Sequence, residues 1–417
     1  MLDAQVNCKY DSQVFQNGID FGPEPFIDNN NNGVFDEGEF YYDLGLIDPT
    51  PASTFFPIRN SAPVLSWNEL SFLPDTSFPV ITVAWNASDL DGDESITNIQ
   101  IALNDTNNFV LLPGSVRLIT LRGINFNSSN PEVEILINAS PQNIHPEKLQ
   151  GLLLNGDNRI FIRAADLSGA SSEIIHLPDT SSTWFVKKPK GQVLIFDDFR
   201  STSTSDLQTT QFYNQVFSTI NGGVLSEKFD VFDLAKNSIA FESVTLLETI
   251  KLFKYVFWYS ASNPRLDLLN IVTEKYNQAG GKIAFSMTFQ DSTDQYQYDL
   301  SSLQGFLPID AISSSLGTNG TILAGADVIP STPNDFPVLE TVGSILFVRS
   351  LTANNIIAEN IYDLNDRNGI GLGNVSFRTT IKNLFFIGMP LHQCNGGPAN
   401  VPALLSKIFF EDFGVIP

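Results

Sequence analysis

The hydrophobic periodicity of this chain changes near residues 187–190, and that change limits the fold more than any other feature of the sequence. Before it, apolar residues recur at every second position in short runs; after it, short apolar runs alternate with longer stretches of helical periodicity. The first pattern is typical of half-buried strands, and the second of strands alternating with helices. The sequence therefore predicts a multidomain chain in which an all-β domain precedes an α/β domain.

Residues 61–187 predict an antiparallel β-sandwich. Ile81, Val83 and Trp85 alternate with smaller or polar residues, and turn residues separate the later apolar runs at intervals usual for a sandwich. Those later runs begin near Ile99, Phe109, Val116, Val133, Arg159 and Trp184.

Residues 188–417 predict a doubly wound parallel sheet, joined to the sandwich by a lysine-rich connection at 187–190. Strand-like runs begin at Val193, Phe229, Tyr255, Lys282 and Leu384, and helical patterns cover residues 206–220, 244–253, 266–278 and 401–410. Strands and helices that alternate at this pitch form right-handed crossovers, so the sheet is expected to carry helices on both faces.

The net charge of the chain is −23, from 46 acidic and 23 basic residues. A phosphate backbone would be repelled, so the composition excludes nucleic acid as a partner and disfavours anionic lipid surfaces. No apolar run reaches the roughly 18 residues that cross a bilayer. No signal sequence follows Met1, as expected of a processed form or of a fragment of a longer protein.

The strongest local motif is a calcium loop over residues 28–39, which read Asp-Asn-Asn-Asn-Asn-Gly-Val-Phe-Asp-Glu-Gly-Glu and fill every position of an EF-hand loop. Gly33 falls where such a loop turns sharply, and Phe35 falls where a side chain packs inward. The predicted Ca²⁺ ligands are Asp28, Asn30, Asn32, Val34 through its carbonyl, Asp36 and Glu39. Asparagine at two ligand positions lowers the ligand charge, which favours millimolar extracellular calcium. The alternative is an asparagine-rich turn without an ion.

A second, weaker metal candidate is the turn Asp89-Leu-Asp-Gly-Asp93, where Asp89, Asp91 and Asp93 lie between two predicted strands. Three carboxylates at this spacing can hold a cation, but the same run is common in hairpin turns without one.

The middle domain resembles the fibronectin type III and immunoglobulin-like modules of bacterial envelope proteins. The resemblance lies in Asp89–Asp93, in the Leu-Asn-Asp that begins at Leu103, and in Arg163-Ala-Ala-Asp-Leu-Ser-Gly169. Residues 2–11 and 45–58 resemble the last hairpin of a preceding module with the calcium loop inserted in its turn. Residues 1–60 are therefore predicted to be a remnant of such a module.

The last domain resembles class I glutamine amidotransferases, which have a flavodoxin-type fold. The resemblance is carried by Val193–Asp198, Tyr255–Ser260, Gly280–Ile283 and Phe386–His392. Together, the modules resemble surface proteins and lipoproteins of the Bacteroidetes and Ignavibacteria type.

The catalytic fingerprint of that family is missing. Its nucleophilic cysteine would follow the strand at residues 282–286, where the chain reads Ser-Met-Thr-Phe without flanking glycines. His392 falls near the family's histidine, but a base without a nucleophile performs no acyl transfer. Ser286 lacks the elbow that a serine nucleophile needs. The resemblance implies a degenerate domain that is not an enzyme.

One binding crevice remains expected in such a domain. Ligands of doubly wound sheets bind at the carboxyl ends of strands where the strand order reverses. That rim would carry Asp197, Asp198, Tyr259 and Ser260. These side chains suit a sugar or a cation, or they are hydrogen-bonding residues of an inert scaffold.

These features favour a non-enzymatic, calcium-binding, extracytoplasmic structural or interaction protein, with self-association or a protein partner as ways to act. The alternatives are a glycan or small-ligand binding protein that uses the crevice, and a hydrolase with an unrecognised nucleophile. The only two cysteines, Cys8 and Cys394, either pair or stay free.

Overall fold

The computed structural model describes residues 10, 12–16, 19–42, 60–179, 181–199, 203–293, 297–331, 335–397 and 400–416. The chain divides into two compact units, Met1–Arg59 and Asn60–Pro417. Cys8, and most of the two segments that resemble a module remnant, lie outside the described residues.

The first unit is built from two short hairpins. Strands β1 (Phe15–Gln16) and β2 (Ile19–Asp20) pair antiparallel. Further along, an antiparallel bridge joins Phe26 to Tyr41, so that the chain enters and leaves residues 28–39 side by side.

Residues 60–187 form a β-sandwich whose two main sheets have the orders β3-β5-β8-β9 and β12-β11-β6-β7, with a smaller sheet β10-β13-β4 beside them. The strands are β3 (Val64–Trp67), β4 (Thr76–Ser77), β5 (Val80–Ser88), β6 (Ile96–Leu103), β7 (Val110–Pro113), β8 (Leu118–Ile124), β9 (Glu132–Ile137), β10 (Gly156–Asn158), β11 (Ile160–Asp166), β12 (Ile175–Leu177) and β13 (Trp184–Val186). Pairing within the two main sheets is antiparallel, and Val83, Trp85, Ile99 and Ile119 belong to the core between them.

The described residues after the sandwich combine a large sheet with five α-helices. Its strands are β14 (Val193–Asp198), β15 (Phe229–Asp233), β16 (Tyr255–Ser260), β17 (Lys282–Ser286), β18 (Ile309–Ser315), β19 (Thr321–Ile322), β20 (Asp327–Pro330), β21 (Leu339–Glu340), β22 (Ile345–Leu346), β23 (Arg349–Ala353), β24 (Ala358–Asn365), β25 (Gly371–Thr379) and β26 (Leu384–Ile387). The helices are α1 (Thr204–Gly223), α2 (Glu242–Ile250), α3 (Leu266–Gln278), α4 (Leu300–Leu303) and α5 (Asn400–Ser406), which continues as a π-helix over Lys407–Asp412.

Nine of these strands form one sheet in the order β15-β14-β16-β17-β26-β25-β24-β20-β21. The first five are parallel, and β25 begins an antiparallel extension. Successive residues of β14 enter different cores: Val193 and Ile195 pack with α1 and α5, whereas Leu194 and Phe196 pack with α2, α3 and α4. Both faces of the parallel part are therefore covered, which explains why its strands read as continuous apolar runs.

Helix α2 also packs against the sandwich. Every residue from Thr245 to Ile250 is buried. The Thr245 hydroxyl donates to the hydroxyl of Thr82 at 2.8 Å, and Phe78 of the sandwich meets Phe253 edge to face at 5.1 Å between ring centroids. Because of these contacts, the sandwich and the large sheet form one compact unit.

An ion-pair network lies in the same interface. Arg122 on β8 donates to Glu134 on β9 at 2.7 Å and to Glu248 on α2 at 2.5 Å, and Lys251 donates to the other carboxylate oxygen of Glu248 at 2.8 Å. The Glu248 side chain is only 1% exposed. A carboxylate so far removed from water depends on these two cations.

The sequence correctly predicts a multidomain chain rich in β-structure. The described residues contain few helices, and the doubly wound α/β sheet stays a prediction. Helix α3 and strand β17 have the predicted bounds. The antiparallel strands from β18 to β25 were not predicted, and the resemblance to amidotransferases stays a prediction. Among the described residues, no helix is long and apolar enough to cross a membrane.

Replacing Arg122 by alanine should lower the free energy of unfolding by about 3 kcal/mol. The variant leaves the buried Glu248 carboxylate with Lys251 as its one cation and removes the ion pair with Glu134. Urea unfolding at neutral pH measures the change. The matched control is Lys148→Ala, which removes a partly exposed pair with Glu132 and should cost less than about 1 kcal/mol. Equal losses of unfolding free energy in both variants would contradict the view that the buried ion pairs of Glu248 stabilise the interface.

Candidate functional site

Loop 28–39 is closed on itself by one carboxylate. The backbone N–H of Asn29 donates to Glu39 Oε1 at 2.8 Å, and the N–H of Asp36 donates to Glu39 Oε2 at 3.0 Å. The Glu39 side chain therefore spans the beginning and the end of the loop. A bidentate carboxylate in this position is what the last ligand of an EF-hand loop requires.

The other predicted ligands turn inward at the first half of the loop. Asp28 Oδ2 accepts from the N–H of Gly33 at 2.7 Å, and the φ of +79° at Gly33 is one that a side chain would strain. The amide groups of Asn30 and Asn32 both donate to Asp36 Oδ2, at 2.6 and 2.7 Å. Together with Glu39, five of the six predicted ligand residues thus have side chains that bind one another or the backbone of the loop.

An aromatic cluster packs around Phe35 of the loop. Phe35 stacks on Tyr10 with 3.9 Å between ring centroids, and Phe26 and Tyr41 each meet Phe35 edge to face. Phe35 is the residue that the motif predicts to point inward. Aromatic pairs of this kind stabilise by about 1 kcal/mol beyond area burial, so they give a small unit a fixed core.

The donor set fits calcium better than a softer metal. It consists of carboxylate and amide oxygens with one carbonyl, which suits a hard cation that takes six to eight oxygens. Over the described part of the chain, however, no group of three or more His, Cys, Asp or Glu side chains is gathered closely enough to hold a metal ion. Calcium at this loop therefore depends on the oxygens of Asn30, Asn32 and Val34, and a half-turn of each amide would present those of the two asparagines.

The carboxylates in the turn at residues 89–93 accept hydrogen bonds from backbone N–H groups. Asp89 Oδ1 accepts from the N–H of Asp91 at 2.9 Å, Asp93 Oδ1 accepts from the N–H of Asp89 at 3.0 Å, and Asp91 accepts from both the N–H and the hydroxyl of Ser61 at 2.9 Å. These bonds fix the turn and the entry into the sandwich. They give no arrangement of oxygens around a common centre.

The four residues of the predicted crevice do come together. In the register of β14 against β16, Asp197 lies opposite Tyr259 and Asp198 opposite Ser260, at the carboxyl ends of both strands. The chain leaves β14 toward β15 on one side and returns to β16 on the other. The strand order thus reverses at this point.

The crevice residues are nevertheless buried, at 2% exposure or less. Asp197 Oδ2 accepts from the hydroxyls of Tyr259 and of Thr210, and Asp197 Oδ1 accepts from the N–H of Phe199. Ser260 donates to the carbonyl of Asp198 at 3.0 Å. Burial raises the pKa of Asp197. Because these four side chains are buried and bond mainly to other protein groups, they lie beneath the surface at the strand ends and do not line an open crevice.

Asp206 is a member of this region that the crevice prediction missed. It lies in the first turn of α1, is 3% exposed, and its Oδ1 has no hydrogen-bond partner among the described residues. Burial, together with the charges of Asp197 and Asp233, raises the pKa of the Asp206 carboxyl to about 6. Ser203, three residues earlier, accepts from its N–H, a helix-start signal that the sequence carries.

Ser286 and His392 form no catalytic pair among the described contacts. The Ser286 hydroxyl donates to the carbonyl of Met389 at 2.9 Å and accepts from the N–H of Leu391 at 3.0 Å. The His392 ring lies near Tyr213 and Phe199, and burial lowers the pKa of the imidazole to about 4. Ser286 therefore holds the chain after β26 in place.

No protein-family model and no curated protein matches the chain. Among solved structures, a 2,6-sialyltransferase of a Photobacterium species, in complex with CMP and lactose, is 10% identical at a TM-score of 0.14; the match covers 51% of this chain and 40% of that one. A purple acid phosphatase from yellow lupin (Lupinus luteus) seeds is 12% identical at a TM-score of 0.15, over 59% of this chain and 38% of that one. The chain spans well under half of either protein, and likeness at these TM-scores carries no argument.

Replacing Asp206 by asparagine should stabilise the protein at alkaline pH. Between the unfolded pKa of 3.8 and the folded pKa of about 6, the folded state binds more protons, so the wild type gains stability as pH falls through this window. The variant lacks the cost of the buried charge and should exceed the wild type by about 2 kcal/mol near pH 8, a margin that narrows toward pH 4.

Urea unfolding across that pH range measures the margin. Glu173→Gln, at an exposed position, is the control and should leave the unfolding free energy unchanged at every pH. A margin that stays constant with pH would show that Asp206 does not carry the raised pKa.

Proposed function

We propose that this chain is a non-enzymatic, calcium-binding structural or interaction protein of the cell surface or extracellular space. The observation that carries the proposal is the closure of loop 28–39 by the two oxygens of Glu39, which accept from Asn29 and Asp36. This carboxylate would need little rearrangement to bind a cation with both oxygens.

Calcium would be held by the side chains of Asp28, Asn30, Asn32, Asp36 and Glu39 and by the carbonyl of Val34. When bound, the ion would supply two positive charges against the three carboxylates of the loop, and Phe35 would tie the loop to the aromatic cluster. Because the unfolded chain offers no preformed site, the binding energy adds to the stability of the folded unit.

The proposal that the chain is not an enzyme rests on the last domain. We infer a degenerate amidotransferase-like domain with a flavodoxin-type sheet, and the parallel order β15-β14-β16-β17-β26 supports it, since this is the order 2-1-3-4-5. The hydroxyl of Ser286 is used by Met389 and Leu391. The antiparallel extension from β25 onward is an addition to that fold.

The extracytoplasmic setting follows from the ligand chemistry. Two asparagines among the ligands lower the charge of the site, which suits calcium at millimolar concentration, and a net charge of −23 suits solubility and divalent cations. The resemblance of its modules to envelope proteins of the Bacteroidetes and Ignavibacteria type points to the same setting. We propose that the chain acts there through self-association or a protein partner.

Calcium should raise the melting temperature of the N-terminal unit. Calcium at about 100 times its dissociation constant contributes about 2.7 kcal/mol to a state that alone binds it. Differential scanning calorimetry in excess EDTA and then in added calcium measures the shift, and the double variant Asp28→Ala with Glu39→Ala should abolish it.

The control is Asp366→Ala, which removes a carboxylate that also accepts backbone N–H groups in an exposed turn, but in the other unit. This variant should keep the full calcium response. An unshifted wild type, or a double variant that still responds, would show that residues 28–39 are an asparagine-rich turn and not a calcium site.

A further inference from the structure

A polar cleft of about 770 Å³ opens where the sandwich meets the carboxyl end of β15. Phe72, Asp75 and Lys187 line it from the sandwich side, and Asp233 and Lys236 line it from the sheet side. Its size falls in the range of small-ligand sites, and such sites occur preferentially at junctions between domains.

The charges of the cleft cancel, although the whole chain is strongly acidic. Its two carboxylates, Asp75 and Asp233, are matched by two ammonium groups, Lys187 and Lys236. Lys236 donates to Asp233 at 2.5 Å. A lining whose charges balance offers no net charge to bind an ionic ligand, and the acidic protein around it repels anions. The ligand that fits it is uncharged and hydrogen-bonding.

The walls present hydrogen-bonding groups that the protein does not use itself. The side chains of Asp75, Asn214 and Ser238 line the cleft and make no side-chain hydrogen bond among the described residues. Thr210 donates its hydroxyl proton to Asp197 at 2.9 Å, so toward the cleft its oxygen acts as an acceptor. Unused donors and acceptors of this kind match the hydroxyl groups of a sugar.

An aromatic ring completes the surface. Phe72 lies in the cleft wall and is 40% exposed, so an apolar ring faces solvent there. The face of an aromatic ring packs against the C–H face of a pyranose while the hydroxyls around the sugar ring bind polar groups.

We propose that this cleft binds a neutral oligosaccharide of about two or three sugar rings, a size set by site volumes of this order. The site is distinct from the buried residues Asp197, Asp198, Tyr259 and Ser260, which form the layer behind Thr210. The proposal goes beyond the calcium-binding function and does not depend on it, because every lining residue belongs to Asn60–Pro417.

Saturation-transfer difference NMR on the full chain, in excess EDTA, tests the proposal with neutral trisaccharides of glucose, mannose and N-acetylglucosamine. At least one should receive saturation at its ring protons. Phe72→Ala and Asn214→Ala should each weaken its binding about tenfold, and trigalacturonate should bind more weakly than its neutral counterparts.

Phe40→Ala is the matched control, since Phe40 is 59% exposed and lies in the other unit; binding should be unchanged. No transfer to any of the three neutral trisaccharides overturns the proposal, as does binding that Phe72→Ala and Asn214→Ala leave intact. Binding that appears only with calcium would assign the sugar to the loop and also overturn it. Because the test is made in EDTA, its outcome does not depend on whether loop 28–39 binds calcium.

Discussion

The arrangement of residues 60–417 depends on the burial of helix α2 on all sides. A surface helix keeps a polar face toward water, but Thr245–Ile250 faces the large sheet on one side and the sandwich on the other. Its polar residues are therefore satisfied inside the protein, Thr245 by Thr82 and Glu248 by Arg122 and Lys251. The same contact sets residues 72–76 opposite the end of β15 and so creates the neutral cleft.

Periodicity predicted the local elements well because burial on both faces leaves a strong pattern. The apolar runs at β14, β16 and β17 are of this kind. The helix from Leu266 to Gln278 was predicted from a different pattern, because it buries only one face, at Leu268, Leu269, Val272 and Tyr276. The antiparallel strands from β18 to β25 were missed because strands such as β18 and β24 mix exposed and buried residues without a clean alternation. The role of α2 was missed because Thr and Glu in a helix read as a solvated face, and only tertiary contacts show that they are paired.

The candidate sites divide in the same way. Loop 28–39 could be proposed as a calcium site because all its donors lie within one short segment at fixed spacing. Asp197 and Tyr259 could be assigned to one edge of the sheet because both end predicted parallel strands. Spacing does not reveal depth. Asp197 and Ser260 are buried, although the sequence predicts them at an open crevice. Asp206, which is also buried near them, lies in the first turn of α1 and not on a strand. The cleft beside them joins residues more than 150 positions apart, from Phe72 to Ser238, which no local pattern encodes.

The hairpin around loop 28–39 has a mechanical consequence. Its backbone bonds, from Ile27 to Phe40 and from Tyr42 to Pro25, lie side by side as successive rungs. Tension applied to the two chain ends of the hairpin would load these rungs one after another, so the hairpin would open as a zipper does and not by shear. With calcium bound as proposed, Asp28 and Glu39 would hold the two sides together just beyond the last rung. The force at which this part of a tethered protein extends would then be set by the calcium around it.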